Sequence, residues 1–164
     1  MTIQRTIDSP IGPLTLAGEG STLSYLVMVD QAHAPPRTGW RRDDTAFPEA
    51  VEQLNAYFAG DLTEFQVACQ MDGTDFQRRV WKALMTIPYG QTRSYGQLAT
   101  QIGAPNASRA VGLANGRNPI SIIVPCHRVI GSNGSLTGYG GGIDRKKALL
   151  DLEKQGHLAT LVEA

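Results

Sequence analysis

Two hydrophobic patterns divide the chain into a strand-rich first part and a helical second part. Apolar and polar residues alternate along 2–8, 13–17 and 22–29, which predicts a β-hairpin followed by a third strand. The segment 32–44 has neither a strand period nor a helix period and predicts a loop. Apolar residues at helical spacing then predict a helix that ends at Gly60. These apolar positions are Ala50, Val51, Leu54, Tyr57 and Phe58.

The second part of the chain carries helix-start signals in close succession. Thr74 and Ser94 are each followed three residues later by Gln, the capping-box pattern, and apolar positions at helical spacing continue from both. Pro105 predicts the first turn of a further helix over 106–115. Two short helices joined by a turn at Gly103 match a helix-turn-helix, whose second helix enters a DNA groove. A plain helical hairpin within a core is the alternative.

The predicted second helix is built mostly from small residues. A reader of the major groove displays several Arg, Asn or Gln side chains, whereas this helix offers little beyond Arg109. Small residues allow the backbone to approach closely, which suits a narrow groove. Further along, Asp144 is the predicted cap of a last helix that carries Glu153 near its end.

A cysteine and a histidine stand side by side in the apolar, β-branched run 122–130. Nucleophilic work requires the thiolate, and a histidine oriented by a carboxylate can take the thiol proton. Consecutive side chains of an extended segment leave on opposite faces, so Cys126 and His127 require either a bend or a water molecule between them. The best orienting carboxylate is Glu153. The alternatives are Asp151 and Asp144.

Charge distribution adds a function class to this picture. The 164 residues are 41% hydrophobic and 18% charged, as in ordinary globular proteins, and their formal net charge is zero. Residues 1–72 carry four Arg against ten Asp and Glu, and residues 73–164 carry eleven Lys and Arg against five acids, so the halves have net charges of −6 and +6. A basic half is typical of a module that binds polyanions, with a chance fluctuation of surface charge as the alternative.

The same composition argues against several other classes. Two cysteines far apart make neither a disulfide framework nor a zinc motif, and the three histidines are scattered, so we expect no metal and no cofactor. No run is long enough to span a membrane and no apolar signal core begins the chain, so we expect a soluble, cytoplasmic protein with no membrane partner.

Three function classes and one structural alternative fit these residues. A cysteine hydrolase would use the Cys-His pair, but no oxyanion-hole signal accompanies it. A DNA-binding regulator explains the basic half and leaves the Cys-His pair without a task. An alkyl acceptor acting on DNA uses both features. The structural alternative is a buried cysteine beside a hydrogen-bonded histidine.

The run Pro125-Cys126-His127-Arg128-Val129 closely resembles the O6-alkylguanine-DNA alkyltransferases, also called methylated-DNA–protein-cysteine methyltransferases. Asn118-Pro119 before it and Gly138-Tyr139-Gly140-Gly141 after it match as well, and the resemblance extends over 74–153. It implies an α+β protein of two domains. Residues 1–72 would form a small ribonuclease H-like sheet with a helix, in a supporting role, and residues 73–164 a winged helix-turn-helix domain that carries the acceptor cysteine.

The resemblance also implies roles for individual residues at matching positions. Cys126 would accept the alkyl group, His127 would act as base through water and Glu153 would orient it. Tyr95 would donate a hydrogen bond to the guanine ring, assisted by Lys146. Arg109 would fill the gap left by a flipped nucleotide. The other residues expected to contact DNA are Ser94, Ala110, Asn115 and Arg128. Those expected to bind or frame the base are Asn118, Val129, Tyr139, Gly140 and Gly141.

The implied reaction is a single-turnover transfer from O6-alkylguanine, and from O4-alkylthymine, in double-stranded DNA. A thioether on Cys126 has no easy hydrolytic exit, so each molecule would act once. The resemblance implies a monomer, with cooperative assembly along DNA left open. Many family members have serine where this chain has Gly140, so a hydroxyl contact to the base is missing here. A protein of this type that only flags lesions would lack a reactive cysteine, and Cys126 is present.

Overall fold

The three strands expected in the first part form an antiparallel meander. The computed structural model describes residues 1–136 and 139–156. β1 (Ile3–Ile7) pairs with β2 (Leu14–Glu19), and β2 pairs with β3 (Thr22–Met28). Both pairings are antiparallel, as the hairpin pattern predicts. The inward-facing residues of β2 and β3 are buried and form much of the core.

The segment 32–44, predicted as a loop, contains a fourth short strand, so that prediction was wrong in part. β4 (Arg41–Arg42) lies parallel to β1 and completes a sheet in the order β3-β2-β1-β4. Two residues are too few to show an alternating pattern, and main-chain hydrogen bonds to β1 hold the strand. The predicted helix follows as α1 (Pro48–Phe58), and Gly60 just beyond it adopts a φ of 82°.

Both capping boxes of the second part form as predicted. Thr74 caps α2 (Asp75–Leu84) and Ser94 caps α3 (Tyr95–Gln101), and in each case the side chain of the following Gln bonds back to the cap. α4 (Ser108–Gly116) packs against both helices and completes the helix-turn-helix arrangement. α2 and α3 therefore begin where short-range side-chain chemistry places them.

Two predicted helix starts were wrong by a few residues. Pro105 lies in a tight turn closed by the hydrogen bond from Ala107 N to Ala104 O, so α4 begins after it rather than with it. Asp144 does not cap the last helix, because Gly142 occupies the cap with a φ of 96° and α5 begins at the next residue. Asp144 lies in the first turn of α5 (Ile143–Gln155), where its charge favours the helix dipole.

The free edge of β3 receives backbone from the second domain. Leu26 N donates to Pro119 O at 2.9 Å and Ser121 N donates to Leu26 O at 3.1 Å. The N-terminal sheet thus holds the segment that leads to Cys126. A single core cluster runs through both domains. In the ranges the structure describes, no helix is both long and apolar enough to cross a bilayer.

Candidate active site

The apolar, β-branched run 122–130 turns sharply before the cysteine. Ile122 adopts a φ of 73°, a strained value for a β-branched residue, and Cys126 N bonds to Val124 O at 2.8 Å. Cys126–Arg128 then form one turn of 3₁₀ helix, here called the Cys-His-Arg turn. The backbone therefore bends at this point, as one of the two expectations had it, and a water molecule between the two side chains stays a prediction.

Two asparagines hold this turn from within. Asn118 Nδ2 donates to Val124 O at 2.8 Å, and Asn118 Oδ1 accepts from Ile120 N at 3.0 Å. Asn115 Nδ2 lies 3.4 Å from Cys126 O. The prediction that Asn115 contacts DNA is contradicted, because its side chain is buried and directed at the Cys-His-Arg turn.

Glu153 of α5 is the centre of a buried hydrogen-bond network. His127 Nε2 lies 2.6 Å from Glu153 Oε2, and Arg128 places Nε 2.7 Å from Oε1 and Nη2 3.0 Å from Oε2. Burial raises the pKa of Glu153, but the charges of His127 and Arg128 and their hydrogen bonds outweigh burial. The pKa of this carboxyl therefore lies well below its usual range. Asp151, one of the alternatives, lies 2.9 Å from Lys147 instead.

Arg128 was expected to contact DNA, and the structure contradicts this. Its side chain is 9% exposed and engages both oxygens of Glu153 as well as Ile87 O, at 2.6 Å. A buried guanidinium requires such a carboxylate, because an unpaired charge in the interior is costly. Arg128 belongs to the network that holds the acid.

The Cys126 thiol is enclosed, with 4% of the residue exposed. Burial raises the pKa of the thiol to about 11, against the lowering effects of a hydrogen bond from the Asn118 side chain and the positive charge of Lys146. Lys146 is itself fully buried, and its Nζ donates to Val129 O at 2.6 Å. Burial lowers the pKa of Lys146 to about 8, while the nearby Cys126 acts in the opposite direction. The thiol is thus protonated in this state and needs a base.

One ring nitrogen of His127 can serve as the base that accepts the thiol proton. Because Nε2 is engaged by Glu153, Nδ1 is the remaining nitrogen, and it is buried without a hydrogen-bond partner among the described residues. A buried ring nitrogen without a partner is rare and costly, and a catalytic role is one explanation for it. The carboxylate on Nε2 favours the tautomer that leaves Nδ1 as an acceptor.

The glycine-rich loop packs against the N-terminal sheet. Tyr139 is 8% exposed, and burial followed by the charge of Cys126 raises its pKa well above the usual range. Gly140 O accepts from Ala32 N at 2.9 Å, and Gly141 O accepts from Arg145 Nη1 at 3.1 Å. Gly138, the first glycine of the predicted loop, lies outside the described residues. The base-binding role of this loop stays a prediction.

The helix-turn-helix lies beside the buried network. β5 (Arg93–Ser94) pairs in parallel with β6 (Val129–Ile130), which joins the start of α3 to the end of the Cys-His-Arg turn. Tyr95 packs at the crossing of α3 and α4, where a Cβ on Gly112 would lie 3.7 Å from its ring. On α4, Arg109 and Ala110 are exposed. Among described residues, no group of three or more His, Cys, Asp or Glu is arranged to hold a metal ion.

Known proteins match this chain over both domains. A family model described as 6-O-methylguanine DNA methyltransferase, DNA binding domain, matches residues 75–155, and the ribonuclease-like domain of the same description matches residues 3–70. The methylated-DNA–protein-cysteine methyltransferase of Mycobacterium tuberculosis is 72% identical over 150 residues, covering 92% of this chain and 91% of the relative. The chain belongs to this methyltransferase family.

Further methyltransferases support the same assignment. The protein of that name from Methanosarcina acetivorans is 55% identical over 147 residues, 89% of this chain and 94% of the relative. The crystal structure of Mycobacterium tuberculosis OGT in complex with DNA matches with a TM-score of 0.95 and 69% identity, covering 97% of each chain. The α+β fold expected for the methyltransferase family, with a ribonuclease-like domain and a DNA-binding domain, is confirmed.

Several contacts at the methyltransferase site were not predicted from the sequence. Tyr57, assigned only to the core, donates from its hydroxyl to Glu153 Oε2 at 2.5 Å. Arg145 donates to Ile11 O at 3.0 Å and to Val29 O at 2.7 Å, and so ties α5 to the N-terminal sheet. A signal existed for Arg128, because an arginine inside an apolar run requires a carboxylate partner. A buried tyrosine likewise requires an acceptor, but nothing in the sequence says which one.

Proposed function

We propose that this chain repairs double-stranded DNA by moving the alkyl group of O6-alkylguanine irreversibly onto Cys126. O4-alkylthymine is the second substrate we propose. One observation carries the proposal. A buried thiol lies next in the chain to an imidazole whose Nε2 is 2.6 Å from the carboxylate of Glu153. Family membership supplies the substrate class, methylated DNA.

The reaction follows from these groups. Cys126 Sγ attacks the alkyl carbon in line with the bond to O6, the new S–C bond forms, and the C–O6 electron pair returns to the guanine. The thiol proton passes through a water molecule to His127 Nδ1, the ring nitrogen without a partner among the described residues. Glu153, held in its charged form, stabilises the resulting imidazolium. A thioether remains, so each molecule acts once.

Two further groups act on the leaving base and the thiolate. The Tyr95 hydroxyl donates to a ring nitrogen of guanine and compensates the charge that develops as the base departs. Lys146 is buried close enough to Cys126 to favour the thiolate electrostatically. Burial makes this effect larger than it would be at the surface.

The base must leave the helix to reach an enclosed thiol. Unstacking one nucleotide costs a few kcal/mol, and a side chain inserted into the gap offsets part of the cost. Arg109 is exposed on α4 among small residues, so it can enter the duplex while the helix backbone approaches closely. Ser94 and Ala110 are the neighbouring positions we expect at the DNA surface.

The test is intact-mass analysis after incubation with a duplex oligonucleotide that contains one O6-methylguanine. We expect one CH₂ unit to be added to Cys126, with repair stoichiometric in protein. Cys126→Ser should abolish transfer and retain DNA binding, and Cys69→Ser, which changes the half-buried second cysteine, should transfer normally. Repeated turnover, or repaired DNA beside unmodified Cys126, would refute the proposal. DNA binding without transfer would indicate a lesion-flagging protein or a regulator.

A further inference from the structure

The N-terminal domain contributes a side chain to the proposed proton-accepting network. Tyr57 lies near the end of α1, is fully buried, and donates its hydroxyl hydrogen to Glu153 Oε2 at 2.5 Å. The same oxygen lies 2.6 Å from His127 Nε2. On the basis of the proposed function, we propose that Tyr57 is a positioning residue for alkyl transfer, fixing the Glu153 carboxylate against His127.

The donors around Glu153 leave little freedom for the carboxylate. Oε1 faces Arg128 Nε and, at 3.4 Å, Gly90 N, while Oε2 receives Tyr57, His127 and Arg128 Nη2. A carboxylate offers about four lone-pair sites, so this set occupies the group on both sides. Tyr57 is the donor that comes from the other domain. Its hydrogen bond therefore fixes the rotation of the carboxylate relative to the N-terminal sheet and α1.

Tyr57 is itself held in place by aromatic packing from both domains. Its ring centroid lies 5.4 Å from that of Phe58, 5.3 Å from that of Phe65 and 6.2 Å from that of Tyr89. Close packing on three sides restricts the ring, and the ring position places the hydroxyl oxygen against Glu153. This makes Tyr57 suited to positioning.

Tyr57 acts as a permanent donor rather than as an acid. Burial raises the pKa of its phenol well above the usual range, and the negative charge of Glu153 raises it further. The titratable and charged groups facing Glu153 are Tyr57 from α1, Tyr89 from the segment after α2, and His127 and Arg128 from the Cys-His-Arg turn. Removing the phenolic donor leaves more negative charge on Glu153 to stabilise a protonated His127.

The test compares Tyr57→Phe with two controls. Tyr57→Phe keeps the ring and deletes the hydroxyl. Tyr25→Phe makes the same change on β3, where the ring stacks with Trp40 at 5.4 Å. Phe58→Leu loosens the same aromatic cluster and keeps the Tyr57 hydroxyl. For each protein we would measure the single-turnover rate constant of methyl transfer at saturating duplex, the DNA dissociation constant, the Tm and the rate against pH.

We expect Tyr57→Phe to lower the plateau rate constant about tenfold, since general acid–base catalysis contributes roughly 10²- to 10⁴-fold and the base itself remains. The acid limb of the rate profile should move to higher pH while DNA affinity is unchanged. Phe58→Leu should lower the Tm without moving the acid limb, and Tyr25→Phe should leave the profile as it is. An unshifted limb in Tyr57→Phe, or a rate loss that only follows the Tm as in Phe58→Leu, would overturn the proposal.

A second measurement does not depend on alkyl transfer. In the DNA-free protein, the ¹⁵N chemical shift of His127 Nε2, which lies 2.6 Å from the carboxylate oxygen that Tyr57 also contacts, should change in Tyr57→Phe and not in Tyr25→Phe. An unchanged chemical shift in Tyr57→Phe would overturn the coupling of Tyr57 to His127 whatever the transfer assay shows. A changed chemical shift together with no transfer by the parent protein would refute the proposed function, and with it a role of Tyr57 in that reaction. The two failures are therefore distinguishable.

Discussion

The buried end of the C-terminal domain, around Glu153, and the exposed face of helix α4 are built in opposite ways. At the buried end, Glu153 is 6% exposed and receives donors from α1, from the segment after α2 and from the Cys-His-Arg turn. On α4, Arg109 is exposed and Leu113 is 70% exposed. The groups proposed for chemistry are thus arranged before DNA arrives, whereas the proposed DNA surface acquires its partners on binding.

The largest effect is expected from Glu153→Gln. The substitution leaves the guanidinium of Arg128 buried without a charged partner, which typically costs roughly 3–5 kcal/mol of unfolding free energy. Urea denaturation would measure the loss, and methyl transfer should fall with it. The matched control on the same helix is Asp151→Asn, whose surface pair with Lys147 contributes about 0.3–0.5 kcal/mol. Equal losses in the two variants would show that the buried end is no more preorganised than the surface.

The Glu153 carboxylate makes the free energy of unfolding depend on pH, and the direction of its pKa shift gives the sign of that dependence. The pKa of Glu153 is lower in the folded protein than in the unfolded chain, where it is about 4.3. Its contribution is therefore complete above that value and is lost as pH falls toward the folded pKa. The stability difference between the parent protein and Glu153→Gln should shrink over that acidic range. A constant difference would contradict the assignment.

The next largest effect is expected from Arg109, on the exposed face of α4. Arg109→Ala should slow repair in duplex DNA by about 10- to 100-fold, or about 1.4–2.8 kcal/mol, because the gap left by the flipped base is no longer filled. Reaction with free O6-benzylguanine should change much less, since no duplex is opened. Arg78→Ala removes an equal charge from α2, where Arg78 pairs with Asp75 at 2.8 Å, and is the control. Equal loss on duplex and free base would rule out the proposed insertion.

The sequence predicts the fold accurately where the deciding contacts are local. The capping boxes at Thr74 and Ser94 each lie within four residues, so they fix where α2 and α3 begin. β4 was missed because backbone bonds to a distant strand create it, and Asp144 was misplaced because Gly142 can adopt a positive φ. Neither pairing with a distant strand nor a positive φ at a glycine changes the hydrophobic pattern along the chain.

The same contrast between local and long-range contacts applies to the residues of the candidate site. Chemistry and family resemblance together led to Cys126, His127 and Glu153, and the structure places His127 and Glu153 in contact although 26 residues separate them. Tyr57 is 96 residues from Glu153 in the chain, and no local pattern predicts that contact. Arg128 was expected at the DNA surface from the family resemblance, and its buried contacts with Glu153 and Ile87 are long-range contacts that the local sequence does not show.

A smaller effect on the transfer rate should distinguish the two neighbouring lysines of α5. Lys146→Met removes the buried charge near Cys126, so transfer to the protein should slow about tenfold near neutral pH, equivalent to about one pKa unit of the thiol. Because the pKa of Lys146 is about 8, the parent protein loses this advantage above that pH and the two rates should converge. Lys147→Met, which alters an exposed lysine, should leave the profile unchanged. A rate gap that persists at pH 9.5 would contradict an electrostatic role.

The smallest effect distinguishes a capping serine from a DNA contact. Ser94→Ala and Thr74→Ala each remove an N-cap whose oxygen accepts from the third backbone N–H of its helix at 3.1 Å, so each should cost about 1 kcal/mol of unfolding free energy. Thr74 begins a scaffold helix, whereas Ser94 begins the helix-turn-helix. Only Ser94→Ala should also weaken duplex binding, by about three- to tenfold, or less than about 1.4 kcal/mol. Fluorescence anisotropy at fixed salt would measure this, and equal affinities for the two variants would leave Ser94 as a cap that belongs to the preorganised part of the domain.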